Sequence, residues 1–144
     1  MYQFKKWQML PILLALIVAL AGCGGQTAAP PAEMEEAAVL DLAVNLDPAA
    51  VEALYQRDDV LILDVREDFE YNAGHIPGAT LVPLGQIPNR LDEIPTDKTV
   101  IAVCRSGNRS GQATNFLREQ GFENVHNMTG GMNAWSQAGY KVEK

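Results

Sequence analysis

Cys104 closes the apolar run "KTVIAVC" and is followed at once by Arg105, Ser106, Gly107, Asn108, Arg109 and Ser110. These residue types at this spacing can build a nucleophile inside an anion cradle. The thiolate is the reactive form of cysteine, and its pKa of about 8.5 falls near arginine and at helix N-termini. Two guanidinium groups lie within five residues of Cys104, and Gly107 permits the tight curvature that aims successive backbone N–H groups at one point. A cysteine that only fills a core would sit inside the strand, at the place of Ala102 for instance, with nothing cationic nearby. Cys104 is therefore the candidate nucleophile, and the residues from Arg105 to Ser110 are the candidate anion-binding loop.

Such a loop needs a strand to deliver the cysteine and a helix to follow it. The stretch "KTVIAVC" is the best strand in the chain, and "SGQATNFLREQG" reads as the helix after it, with Ala113, Phe116 and Leu117 on one face and Gly121 at its stop. Upstream, "VLDLAV" (39–44) reads as a first strand. Asp47 followed by Pro48 is an N-cap with proline at the first helical position, and Val51, Leu54 and Tyr55 continue that helix on one face. "DVLILDV" (59–65) is a strand apolar on both faces. "EDFEYNAG" is a short helix ended by Gly74, "ATLVPL" a strand, "QIPNRLDEI" a weak helix, "NVHNM" a last short strand and "GGMNAWSQAG" a helix with Trp135 inward. Strands alternating with helices imply an α/β fold, a mostly parallel sheet with helices on both faces. In such a sheet, ligands bind at the carboxyl ends of the strands, which is where Cys104 stands.

Three stretches in order resemble the rhodanese family. "LILDVREDFEYNAGHIPGATLVPL" is similar to its first signature, "VCRSGNRS" to its active-site loop and "MTGGMNAW" to its closing pattern. The resemblance runs from about residue 39 to residue 140. It implies a central five-stranded sheet and a sulfurtransferase in which Cys104 takes a sulfur atom from thiosulfate or a similar donor and passes it, as a persulfide, to a thiol or cyanide. It further implies that the N–H groups from Arg105 to Ser110 cradle the persulfide and that Arg105 meets the anionic donor. Arg109, at the loop's end, is expected to brace the loop against a carboxylate of the first signature, with Asp64 the candidate. Arg66 and Glu70 follow, each with a structural role as the simpler reading. His75, in the turn "GHIPGA", is read as structural rather than as a base for Cys104, and Trp135 as core.

Two other classes compete. The cell-cycle phosphatases resemble rhodaneses in fold, but their loop has five residues between cysteine and arginine; here Cys104 and Arg109 are separated by four, which leaves little room for a tetrahedral phosphate. An arsenate reductase falls under the same objection. A persulfide carrier or binding module serving a partner protein would keep the same loop, and only turnover distinguishes it.

The first residues have the layout of an export signal. Lys5 and Lys6 precede the apolar run "MLPILLALIVALAG", which is shorter than the roughly 20 residues of a membrane span. "LAGC" (20–23) resembles the lipobox of bacterial lipoproteins, which implies cleavage before Cys23 and lipid on it. The expected organisation is a lipoprotein signal peptide at 1–22, a lipidated tether at 23–38 ("GGQTAAPPAEMEEAA" being small, Pro-containing and acidic) and the rhodanese domain at 39–144, exported and held to the cell-envelope membrane. Loss of residues 1–22 leaves nine basic and eighteen acidic residues, a balance of −9. That charge excludes general affinity for nucleic acid, so an anionic substrate must be captured by a local basic site. With Cys23 lipidated, Cys104 is the only thiol and no intramolecular disulfide is available. His75 and His126 have no second ligand beside them, so neither a metal nor any other cofactor is expected, and nothing calls for more than a monomer.

Overall fold

The computed structural model describes residues 40–144. The expected signal peptide, the lipidated Cys23 and the tether lie outside the described residues.

Five strands form one parallel sheet: β1 (Asn45–Leu46), β2 (Val60–Asp64), β3 (Thr80–Leu81), β4 (Thr99–Val103) and β5 (Val125–Met128), in the order β1-β5-β4-β2-β3. The β-branched, almost wholly apolar β4 is central and entirely buried. Period-two alternation sorts the strand side chains to two cores. Val60, Ile62, Ile101 and Val103 face one side with Val51, Met132 and Trp135; Leu63, Val65, Val100 and Cys104 face the other with Ala113 and Leu117. Helices α1 (Pro48–Glu52) and α4 (Gly131–Gln137) cover the first side, and α3 (Asn108–Glu119) covers the second. Full burial of side chains such as Ile101, Leu117 and Trp135 contributes roughly 1.5–3 kcal/mol each. The sheet with helices on both faces is the architecture expected from the alternating pattern.

Local signals act as their chemistry requires. Asp47 Oδ1 accepts the Ala50 N–H at 2.8 Å, with Pro48 opening α1. Helix α2 (Asp68–Ala73) begins where Glu70 reaches back to the Glu67 N–H at 3.2 Å. Trp135 is core, its indole N–H donating to the Lys141 carbonyl and its ring edge-on to Tyr55.

Helix α1 ends at Glu52, before Leu54 and Tyr55, and only Thr80–Leu81 of "ATLVPL" pairs as a strand; three further elements differ from the sequence reading. Residues 40–44 do not form a strand; Leu40 and Leu42 pack on the first core, and the ladder starts only at Asn45. Their apolar alternation reflects the partial burial of Leu40 and Leu42, and the Val44 carbonyl accepts the Asn127 N–H at 2.7 Å where the chain enters the ladder. The stretch read as one weak helix is two 3-10 segments, Leu84–Asn89 and Leu91–Glu93; the Pro88 ring would clash with the carbonyl four residues back in an α-helix and disfavours the α conformation at Ile87. Finally, α3 begins at Asn108 rather than Ser110, since Gly107 in the left-handed region (φ +93°) turns the chain into the helix two residues earlier.

Candidate active site

Cys104 leaves β4 at the carboxyl edge of the sheet, 1% exposed. Arg105, Ser106 and Gly107 turn the chain, and Asn108, Arg109 and Ser110 form the first turn of α3. The sulfur accepts the Gly107 N–H at 3.1 Å and lies 3.3 Å from Ser110 Oγ. Burial alone would push the thiol pKa up. Hydrogen bonds from the Ser110 hydroxyl and from the N–H groups of Ser110, Ser106 and Gly107 outweigh it and hold the thiol below its ordinary value. No carboxylate hydrogen-bonds the sulfur among the described residues.

Helix α4 explains why N–H groups rather than carbonyls face inward. Its Met132 N–H donates to the Cys104 carbonyl at 2.8 Å and its Asn133 N–H to the Arg105 carbonyl at 3.0 Å. Those carbonyls are thereby held away from the sulfur, and two of the helix's otherwise unpartnered N–H groups are satisfied. The close approach requires Gly131: its φ is +54°, and a Cβ there would collide with the Cys104 carbonyl and the backbone of Arg105 and Ser106. The pattern "MTGGMNAW" is thus the back wall of the loop, a role that residue types alone did not announce.

The loop's far end is fixed by an ion pair. Arg109 donates through both terminal nitrogens to the two oxygens of Glu70, each at 2.7 Å. The Arg109 guanidinium holds the Glu70 carboxyl down at about 2, from an ordinary 4.5, against a smaller opposing effect of burial. Asp64 is not the partner of Arg109. Both of its oxygens are taken by Arg66, whose Nε and Nη2 lie 2.6 to 2.9 Å away, and both side chains are buried. Arg66 also donates to the Gly74 carbonyl at 2.9 Å, clamping the end of the helix that carries Glu70. Asp64 and Arg66 thus support the loop through α2 rather than by touching it.

Arg105 is exposed and has no ion pair or side-chain hydrogen bond among the described residues. It lines a cleft of about 420 Å³ with Phe69, Glu70, Met132, Asn133 and Val142, and Phe69 is 75% exposed at its rim. His75 makes no hydrogen bond to the Cys104 sulfur: its ring stacks on Tyr71 at 3.7 Å, with Nδ1 3.0 Å from the Tyr71 carbonyl and Nε2 3.5 Å from Glu143.

The family model described as the rhodanese-like domain matches residues 47–138, well over half of the chain and the whole site. The chain belongs to the rhodanese-like domain family. A sulfurtransferase from Allochromatium vinosum is 43% identical over 95 residues, spanning 63% of this chain and 89% of that one. The thiosulfate sulfurtransferase GlpE of Pseudoalteromonas translucida is 41% identical over 92 residues, 63% of this chain and 88% of its own. Among solved structures, a rhodanese-related protein from Thermoplasma volcanium superimposes with a TM-score of 0.65 at 29% identity, covering 70% of this chain and 98% of its own. The fold is therefore the rhodanese-like α/β fold with its five-stranded parallel sheet.

Proposed function

We propose that this rhodanese-like domain is a sulfurtransferase that carries sulfane sulfur on Cys104. The observation behind the reading is the buried sulfur ringed by N–H and O–H donors, followed in the chain by the exposed Arg105, which has no ion pair among the described residues. The relatives named for sulfur transfer support it. The Cys104 thiolate attacks the outer sulfur of thiosulfate or a similar anion. A Cys–S bond forms, the donor's S–S bond breaks, and sulfite leaves with the bonding electron pair. An acceptor thiolate or cyanide then attacks the outer sulfur, and Cys104 departs as thiolate, a two-step exchange. The N–H groups of Ser106, Gly107 and Ser110 stabilise negative charge on the sulfur at each stage, and Arg105 draws in the anionic donor.

A phosphatase reading fits less well. Beyond the four-residue spacing, the bidentate pair with Glu70 commits two of the five N–H donors of Arg109 and fixes the plane of its guanidinium toward α2. We further infer that the domain works as a monomer and, from residues 1–38, that it sits outside the cytoplasm on a lipid anchor at Cys23; Cys23→Ser should move the protein from the membrane to the soluble fraction.

Intact mass of residues 39–144 after thiosulfate treatment tests the chemistry. Wild type should gain one sulfur atom and Cys104→Ser none. No gain on a reduced, titratable wild type would overturn the reading. Gain without catalytic turnover to cyanide or small thiols would assign the domain as a carrier for a protein acceptor.

A further inference from the structure

Ser110 is fully buried, and its Oγ stands between two groups: Asn127 Oδ1 at 2.7 Å and Cys104 Sγ at 3.3 Å. A hydroxyl has one proton, so it serves one acceptor at a time. Asn127 lies on β5, buried, and its Nδ2 donates to Asn45 Oδ1 at 2.9 Å. Asn45 is its registered neighbour on the edge strand β1 and is open to solvent. Cys104, Ser110, Asn127 and Asn45 thus form one hydrogen-bonded line from the sulfur to the sheet edge.

With Cys104 as a thiol, that line is satisfied in one direction. The S–H donates to Ser110 Oγ, Ser110 to Asn127 Oδ1, and Asn127 to Asn45. With Cys104 as a thiolate, the sulfur can only accept. Turning the Ser110 proton to it would leave two oxygens 2.7 Å apart with no hydrogen between them, a buried unsatisfied pair that opposes ionisation. A half-turn of the Asn127 amide removes the conflict: Nδ2 donates to Ser110 Oγ and Oδ1 faces Asn45, whose own amide turns to donate. Oxygen and NH2 have nearly the same size, so the turn needs no repacking.

We propose that Asn127 and Asn45 are positioning residues whose amides reverse with the charge on Cys104, freeing the Ser110 hydroxyl to donate to the sulfur when it is anionic. The device depends on Cys104 ionising and is indifferent to which sulfur donor the site serves. Charged and titratable neighbours are Arg105 in the loop, Arg109 on α3 with Glu70 of α2 behind it, and His126 on β5, whose Nδ1 faces the Ala43 carbonyl. None of them hydrogen-bonds to either asparagine.

The test uses the exposed end of the line, where folding is not at stake. In Asn45→Asp the carboxylate only accepts, which holds Asn127 Nδ2 outward, keeps Oδ1 toward Ser110 and retains the hydroxyl away from the sulfur. Asn45→Ala leaves water to serve either direction. The readout is the pH dependence of Cys104 alkylation by iodoacetamide in 1 M KCl, where a Debye length of about 3 Å suppresses the plain effect of the added charge. Asn45→Asp should raise the midpoint by about half a unit or more, a roughly threefold loss of thiolate well below it. Asn45→Ala should match wild type, and Asn45→Asp should have no effect in a Ser110→Ala background. An equal shift in both backgrounds, or no shift in either, would overturn the proposal.

Discussion

Arg109 and Glu70, 39 positions apart in sequence, meet through two parallel hydrogen bonds of 2.7 Å that tie the first turn of α3 to α2. The same Glu70 carboxylate accepts the Glu67 N–H, so one side chain both starts a helix and anchors the catalytic loop. Because pairing depresses its pKa in the folded state, the associated stability is present above about pH 4.5 and is lost as the pH falls toward about 2. Glu70→Gln should cost on the order of 1–2 kcal/mol at pH 7, and the gap from wild type should close across that acid window. Denaturant titrations at pH 7, 4 and 2.5 measure it; a gap constant over the series would mean that the side chain contributes through shape alone.

Asp64 and Arg66 form a buried pair, with side chains 1% and 6% exposed. Asp64→Asn leaves the guanidinium without its carboxylate and should destabilise the domain by about 3–5 kcal/mol. Replacing both together, Asp64→Leu with Arg66→Met, should recover much of that loss. If the double variant is as unstable as the single one, the pair's geometry rather than its charge balance is what the fold requires.

Gly131→Ala forces a Cβ into the Cys104 carbonyl at a positive φ. We expect a loss of at least about 3 kcal/mol, a drop in Tm of roughly 12 °C or more for a domain of this size. Gly85, with open space around it, is the control, and Gly85→Ala should leave the Tm within a few degrees. Thermal unfolding followed by circular dichroism separates the two.

Arg105→Ala should leave the fold intact and weaken capture of an anionic donor. The expected signature is a KM for thiosulfate raised about tenfold with kcat changed by less than about threefold. A fall in kcat at constant KM would move Arg105 from donor binding to the transition state.

Much of this was legible in the sequence, and the reasons are local. Cys104 could be recognised because its neighbours are all within six residues, and the sheet because β2 and β4 are dense in β-branched and leucine side chains. What escaped were relationships that only the fold brings together. Asp64 and Glu70 are both carboxylates of the first signature, and nothing in their types says that the nearer arginine, Arg66, would occupy Asp64 and leave Glu70 to meet Arg109. Asn127 sits in a stretch that reads only as a short strand; its link to Ser110 exists because β5 lies beside β4 and under α3. The start of α3 was misplaced because a left-handed Gly107 shortens a loop that composition alone makes look longer.

The depth of Cys104 has a consequence for which other thiols can reach it. Its sulfur is 1% exposed beneath a loop whose far end is anchored to α2. A disulfide requires two Cα atoms within about 7 Å, a separation that two folded surfaces cannot reach when this sulfur lies below one of them. Reach therefore acts as a gauge of slenderness: a cysteine flush with the surface of a second folded copy cannot come close enough to bond to this sulfur. Protection against cross-linking to another folded surface is thus set by reach.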